Sequence, residues 1–558
     1  MPVVSSSTGG SFSVRLDRVT VLRADRPILV EVDLTLTERS RLAVVGANGV
    51  GKSTLLRTLA GEVIPASGSI LAAPANVSVG LVRQELVRDP SMTVRQLLAE
   101  RTGVARANEA FETATAALSV GADGADDEYA DALERWLDVG AADFDARLER
   151  AADDLALPTG LLDASTVGLS GGQGARVGLA AVMLSRFDLT LLDEPTNDLD
   201  VDGLERLEAW VEGHSGGLVI VSHDRAFLDR AVTSVLEIDP HAHTAALFQG
   251  GWEAFLRERE VAQAQAERRY QEFATERERL SGRAQKQREW ADKGASRATK
   301  APSDGDKFRR AHNMAQTEKL AGKASATQRA IERLEVVDKP WENWELRFTI
   351  AAAPRSASVV ATLDAAVFRR GDFSLGPVGL DLRWAERVVI VGPNGGGKST
   401  LIDGLTGRLE PVSGRAHLGP GVVVGELGQR RDDFDRVDGS TLVDVFEELA
   451  QIAPSEARSI LAKFGLAGET VGRPASSMSP GERTRARLAL FQARGVNLLI
   501  LDEPTNHLDL AAIEQLETAL AGYPGTLVVV SHDRRFLENV AFDRRVDIAA
   551  FDRSGPIS

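Results

Sequence analysis

The chain has no cysteine among its 558 residues, which excludes disulfides, zinc–thiolate sites and cysteine-ligated iron–sulfur clusters. It also lacks any uninterrupted apolar run of the roughly 18–20 residues that a membrane span needs. Any transport role would therefore call for a separate membrane partner. Residues Met1–Ser13 are rich in Ser and Gly and lack the basic-then-apolar order of a signal peptide. They are expected to form a disordered tail on a cytoplasmic protein. An overall excess of basic charge is missing too. The net charge of −16 argues against a nucleic-acid binder until its distribution along the chain is considered.

What is present is ample. The length predicts several domain-sized units with large cores, and 43% hydrophobic with 26% charged residues is ordinary for a soluble protein. The dominant feature is an internal repeat. Gly46-Ala47-Asn48-Gly49-Val50-Gly51-Lys52-Ser53-Thr54 returns as Gly392-Pro393-Asn394-Gly395-Gly396-Gly397-Lys398-Ser399-Thr400. Leu192-Asp193-Glu194-Pro195-Thr196-Asn197 returns as Leu501-Asp502-Glu503-Pro504-Thr505-Asn506, and Ser222-His223-Asp224-Arg225 as Ser531-His532-Asp533-Arg534. The offset is 346 at the lysines but 309 at the glutamates and histidines. The first copy therefore holds an insert, placed at about residues 101–156, which is acidic and has helical spacing at Leu133, Trp136 and Leu137.

In each copy a β-type run, Arg41–Val45 or Arg387–Val391, leads into the Gly-rich loop, and a helix is expected after it. Strand, loop, helix is the context that a phosphate-binding G-x-x-x-x-G-K-S loop requires. Its glycines let backbone N–H groups cradle phosphate, Lys52 and Lys398 neutralise it, and Ser53 and Ser399 can hold Mg²⁺. The apolar runs Leu189–Leu192 and Leu498–Leu501 are expected as buried parallel strands that deliver Asp193 and Asp502 to Mg²⁺. Glu194 and Glu503 follow, placed to polarise an attacking water. His223 and His532 end further strands, Leu218–Val221 and Leu527–Val530, and are candidates for a γ-phosphate contact. Ser170-Gly171-Gly172-Gln173 and Ser479-Pro480-Gly481-Glu482 each read as an N-capped helix start, a natural anion site. Gln84 and Gln429 lie between the loops and these caps.

Between the two copies the composition changes. Ala266, Tyr270, Phe273, Leu280 and Ala284 form one heptad-like stripe, and Leu320, Ala324, Thr327, Ile331 and Leu334 form a second. Gly294–Asp306 between them contains Gly, Pro and Ser and is expected as a turn. The pattern predicts two antiparallel helices of roughly 35 residues, about 50 Å long. From Ser281 to Arg329 there are twelve Lys or Arg against five Asp or Glu, a local +7 on an acidic body. A basic tip of this kind favours docking on a phosphate backbone.

Taken in order, these motifs resemble the ATP-binding-cassette proteins: Walker A, Q-loop, signature, Walker B, D-loop and H-loop occur in both halves. The resemblance implies ATP and Mg²⁺ as cofactors and ATP hydrolysis. It implies two cassettes packed head to tail, with Lys52 facing Ser479 and Lys398 facing Ser170, and Gln84 and Gln429 joining the nucleotide and metal sites. Near the usual adenine-stacking aromatic, the first copy offers Arg23 and the second Phe368. Two cassettes in one chain, the helical linker and the stretch Gly250-Gly251-Trp252-Glu253-Ala254-Phe255 are similar to the ABC-F family. That family implies binding at the ribosomal exit site, with the linker directed toward the P-site tRNA and the peptidyl-transferase centre. Its members either displace ribosome-targeting antibiotics or regulate translation.

The expected architecture is α/β, two tandem P-loop cassettes joined by a long antiparallel α-helical hairpin. The boundaries are 1–13 tail, 14–251 first cassette, 252–338 linker and 339–558 second cassette. The leading function is ribosome protection by a chain whose cassettes pair intramolecularly. The alternatives are a translation factor without a resistance role and, from a different class, a soluble ATPase pair of a membrane transporter.

Overall fold

The structure, a computed structural model, describes residues 11–83, 89–158, 160–299, 355–428, 434, 439–506 and 508–554. Each cassette is built on a mostly parallel sheet. In the first the strand order is Val79–Arg83, Leu189–Asp193, Gly217–Val221, Arg41–Val45, Ser234–Ile238 and Ala245–Gln249, with only the last pairing antiparallel. In the second it is Val424–Leu427, Leu498–Asp502, Thr526–Val530, Arg387–Val391 and Arg544–Asp547. The central strands are covered on both faces, so they are apolar at nearly every position rather than alternating. Gly217–Val221 and Thr526–Val530 are buried along their whole length. Matching registers, Arg41 beside Leu218 and Arg387 beside Leu527, repeat the same sheet in both halves.

A smaller antiparallel sheet lies beside each parallel one. In the first cassette it runs Arg26–Thr37, Ser13–Arg23, Ser67–Ala73. Its alternating inner residues, among them Val14, Leu16, Leu34 and Leu36, join the core that also holds Leu42 and Leu55. Phe12 is buried and Ser13 opens the first strand. Phe12 and Ser13, expected in the tail, thus belong to the first cassette, because the aromatic side chain fills its core.

The insert is helical: Val104–Ser119, Ala125–Asp138 and Phe144–Asp154 follow Val94–Arg101. Phe111 stacks on Trp136 with ring centroids 5.1 Å apart, and the Trp136 Nε1–H donates to Asn108. The chain divides into a unit holding both cassettes, Met1–Phe255 with Leu346–Ser558, and a second unit, Leu256–Glu345. One helix, Gly251–Thr299, enters the second unit. Its first turn is anchored by Trp252 and Phe255, both buried, with Phe255 edge-on to Phe248 at 5.1 Å. Leu280 is buried, and Ala266, Tyr270 and Phe273 are half-covered, while most of their neighbours are exposed. At 49 residues the helix is longer than the spacing suggested. It runs through Gly294, where the expected turn begins, because one glycine costs only about 1 kcal/mol in a helix and Ala, Lys and Arg neighbours outweigh it. The second arm of the expected hairpin and the remainder of the turn lie outside the described residues.

Candidate functional site

The two phosphate loops leave their strands at Val45 and Val391 and enter helices Lys52–Leu59 and Lys398–Leu405. Gly51 and Gly397, at the N-caps, have φ of 118° and 98°. A Cβ there would meet Ile28 Cγ2 at 2.7 Å and Phe373 Cζ at 2.8 Å. Only glycine lets this backbone fold so tightly with its N–H groups turned inward. Lys52 and Lys398 are buried. Lys52 Nζ donates to Gly46 O at 2.9 Å, and Lys398 Nζ donates to Gly392 O at 2.9 Å and to Asn394 Oδ1 at 3.3 Å. Burial lowers both ammonium pKa values, and Glu194 and Glu503 oppose that shift.

The strands Leu189–Asp193 and Leu498–Asp502 end on their aspartates, as the sequence suggested. Ser53 Oγ donates to Asp193 Oδ1 at 3.2 Å and Ser399 Oγ to Asp502 Oδ2 at 3.5 Å. A hydroxyl beside a carboxylate is the oxygen donor set that Mg²⁺ takes when phosphates and water complete its shell. Among the described residues there is no cluster of three or more His, Asp or Glu that could bind a metal without such help. Glu194 and Glu503 follow in left-handed conformations, φ 51° and 49°. Glu194 N–H donates to Val221 O and Glu503 N–H to Val530 O, which turns each side chain into the site.

These carboxyls are poised rather than simply ionised. Burial pushes Glu194 up to about 7, against the pull of Lys52. It also raises Glu503, against Lys398. Glu194 Oε2 and Glu503 Oε1 are buried without a hydrogen-bond partner among the described residues, the arrangement expected of atoms kept for water. His223 Nε2 lies 3.1 Å from Glu194 Oε1, and His532 Nε2 lies 3.5 Å from Glu503 Oε1. His532 Nε2 is also 2.7 Å from Lys398 Nζ. Burial first, and then Lys398, lower the His532 pKa to about 4. The imidazole is therefore neutral and accepts from the lysine.

Ser170 and Ser479 are N-caps with full capping boxes. Each Oγ accepts from the N–H of Gln173 or Glu482, whose side chain returns to the serine N–H. The helices start at Gly171 and Pro480. A cavity of about 690 Å³ joins Gly171 and Gly172 of the first cassette to Lys398, Ser399, Glu503 and His532 of the second. That is the head-to-tail pairing of the second phosphate loop with the first signature.

Sequence reasoning missed two contacts across this seam. Asn394 N–H donates to Asp200 Oδ2 at 3.1 Å, and Asn48 N–H donates to Asp509 Oδ2 at 3.1 Å. Each aspartate also caps the helix it starts, accepting from Gly203 and Ala512 N–H. Their common 309 offset was the available signal. Gln84 and Gln429 lie outside the described residues. Phe368 is fully buried with Leu375 and Leu401, so it cannot stack on adenine. Arg370, Asp372 and Phe373 line the cavity instead. Arg23 is exposed at its strand end.

Comparison with known proteins identifies the family. A family model described as "ABC transporter" matches residues 29–197 and 375–506. The tylosin resistance ATP-binding protein TlrC of Streptomyces fradiae is 34% identical over 95% of this chain and 96% of its own. The energy-dependent translational throttle protein EttA of Mycobacterium tuberculosis is 32% identical over 94% and 90%. ABC transporter F family member 5 of Arabidopsis thaliana is 28% identical over 96% and 75%. In fold, the chain is similar to an archaeal ribosome recycling factor solved with a stalk protein, at a TM-score of 0.56 and 18% identity over 95% and 87%. No helix among the described residues is long and apolar enough to cross a membrane. With two complete cassettes in one polypeptide and relatives aligned along nearly its whole length, this chain belongs to the ABC-F family of ATP-binding-cassette ATPases.

Proposed function

We propose that this ATPase is a ribosome-protection factor. It docks at the ribosomal exit site in its ATP-bound form and directs the linker toward the P-site tRNA and peptidyl-transferase centre, displacing a bound antibiotic. The observation that carries this reading is the near end-to-end correspondence with a protein named for tylosin resistance. The basic stretch Ser281–Arg329 supports it as a phosphate-docking element. The similarity to a translational throttle protein favours a second reading, regulation of elongation without drug resistance.

In the mechanism, Lys52 and Lys398 and the loop N–H groups hold the ATP phosphates. Ser170–Gln173 and Ser479–Glu482 present helix N-termini from the opposite cassette. Ser53 with Asp193, and Ser399 with Asp502, would hold Mg²⁺, which would neutralise charge on the phosphates; Gln84 and Gln429 are the further candidates for it. Glu194 Oε2 and Glu503 Oε1 accept the proton of the attacking water. His223, beside Glu194, and His532, once the ATP phosphates draw Lys398 away from its Nε2, contact the γ-phosphate. Because that phosphate touches both cassettes, ATP favours the closed pair and hydrolysis releases it.

Expression in a drug-susceptible bacterium tests the conclusion. The full chain is expected to raise the inhibitory concentration of tylosin or another peptidyl-transferase-region inhibitor, and a chain with Ser281–Arg329 replaced by a short turn is not. ATP-dependent ribosome binding with no protection against any such inhibitor would favour the regulatory reading. No ribosome binding in any nucleotide state would overturn both.

A further inference from the structure

We propose that Arg225 and Arg534 are positioning residues. Each ties the histidine turn of its own ATP site to the opposite cassette's helix, so that this helix sets the spacing between phosphate loop and histidine. The inference rests on the ATPase activity alone and is independent of any ribosomal role.

Helix Val201–Gly213 of the first cassette is gripped twice by the second. At its N-cap, Asp200 accepts from Asn394 of the phosphate loop. Eight residues on, Glu208 Oε1 accepts from Arg534 Nη1 at 3.1 Å. Arg534 follows His532 by two residues, and His532 reaches back to Lys398 in the same loop. The two contacts across the seam are repeated in the other direction. Asp509 caps Leu510–Ala521 and holds Asn48, and Glu517 pairs with Arg225, which follows His223 by two residues. Glu208 and Glu517, like Arg225 and Arg534, stand at the 309 offset. Two helical turns, about 12 Å of rigid rise, thus separate the points where each helix touches the opposite loop and the opposite histidine turn.

The two struts differ in strength. Arg225 and Glu517 are both buried, and Asn539 Nδ2 donates to Glu517 Oε2 at 2.9 Å. Arg534 is more open, and its partner Glu208 is shared with Arg230 at 2.7 Å. A buried, multiply bonded pair holds geometry more tightly than a half-exposed one. The site at Lys52 is accordingly the more firmly gauged of the two.

The test is site selectivity. Single-turnover ATP hydrolysis is measured with Glu503→Gln, which leaves the Lys52 site active, and with Glu194→Gln, which leaves the Lys398 site. Arg225→Gln is expected to slow the first by about ten- to a hundredfold, as misplacement of catalytic groups does, with ATP affinity within about threefold of the parent. Arg534→Gln is expected to slow the second by a smaller factor, and each leaves the other site nearly unchanged. In the chain with both glutamates intact, the swap Arg225→Glu/Glu517→Arg is expected to recover most of the rate lost by either single change. Equal slowing of both sites by either arginine, or no slowing, would overturn the proposal. So would a swap no better than the singles. Should Arg225→Gln fail to fold, Arg534→Gln at the more open pair and Asn539→Ala carry the same comparison.

Discussion

The double substitution Glu194→Gln/Glu503→Gln is expected to cut ATP turnover by about two to four orders of magnitude, the usual worth of a positioned general base, while ATP still binds. Both carboxyls have a buried oxygen without a hydrogen-bond partner among the described residues, and Gln keeps their shape while removing the proton acceptor. ATP-stabilised closure then persists. In co-sedimentation the double variant should pellet with purified ribosomes only when ATP is present. Turnover within threefold of the parent would contradict the glutamate roles, whereas slow turnover without pelleting would contradict only the ribosomal target.

The same variant carries a stability signature with a defined sign. The folded pKa of Glu194 is raised from 4.5 to about 7, so the fold binds a proton that the unfolded chain has already released. The stabilisation from that proton is complete below pH 4.5 and is lost as pH rises toward 7. Glu503, raised in the same direction, adds to the loss. Gln has no proton to lose. Without nucleotide, the melting-temperature advantage of the double variant should therefore grow between about pH 5 and pH 8, as Glu194 at about 7 and then Glu503 at about 8 lose their protons, and level off above. An advantage that shrinks over that interval would show that these carboxyls are not held neutral by burial.

The second large effect is expected from Lys52→Ala/Lys398→Ala. Each ammonium sits among loop acceptors, Gly46 O for Lys52 and Gly392 O for Lys398, where a phosphate oxygen would take its place as partner. Charge-assisted hydrogen bonds contribute roughly 1.5–3 kcal/mol each, so losing two contacts per site should weaken ATP binding by at least about a hundredfold. Lys→Arg should not restore it. The cradle holds a single nitrogen at the end of a thin stem, and a planar guanidinium needs more room. Titration with a fluorescent ATP analogue would decide. Affinity within threefold of the parent in the alanine variant would remove the lysines from the phosphate site. The loss also takes away the cation that opposes the upward shift of Glu194, so any residual turnover should require a higher pH.

By itself the sequence determined the repeat, the α/β class, the strand–loop–helix of each phosphate loop and the serine caps of both signatures. Those features are local. Glycine spacing, an apolar run buried on both faces and a Ser with Gln or Glu three residues later each carry their own physical cause within a few neighbours. Only tertiary structure decided that Phe368 belongs to the core and that Phe12 belongs to the first cassette, since an aromatic beside a strand pattern can face either way. It alone brought Asp200 to Asn394, Asp509 to Asn48 and Arg225 to Glu517. These partners lie between 194 and 461 residues apart, and no local pattern encodes which surface of one cassette will meet the other. The length of the helix from Gly251 was likewise settled by the fold, because a single glycine's propensity is too weak to end a helix whose other residues favour it. The chain wrote its chemistry into short motifs and left their alignment across the seam to packing.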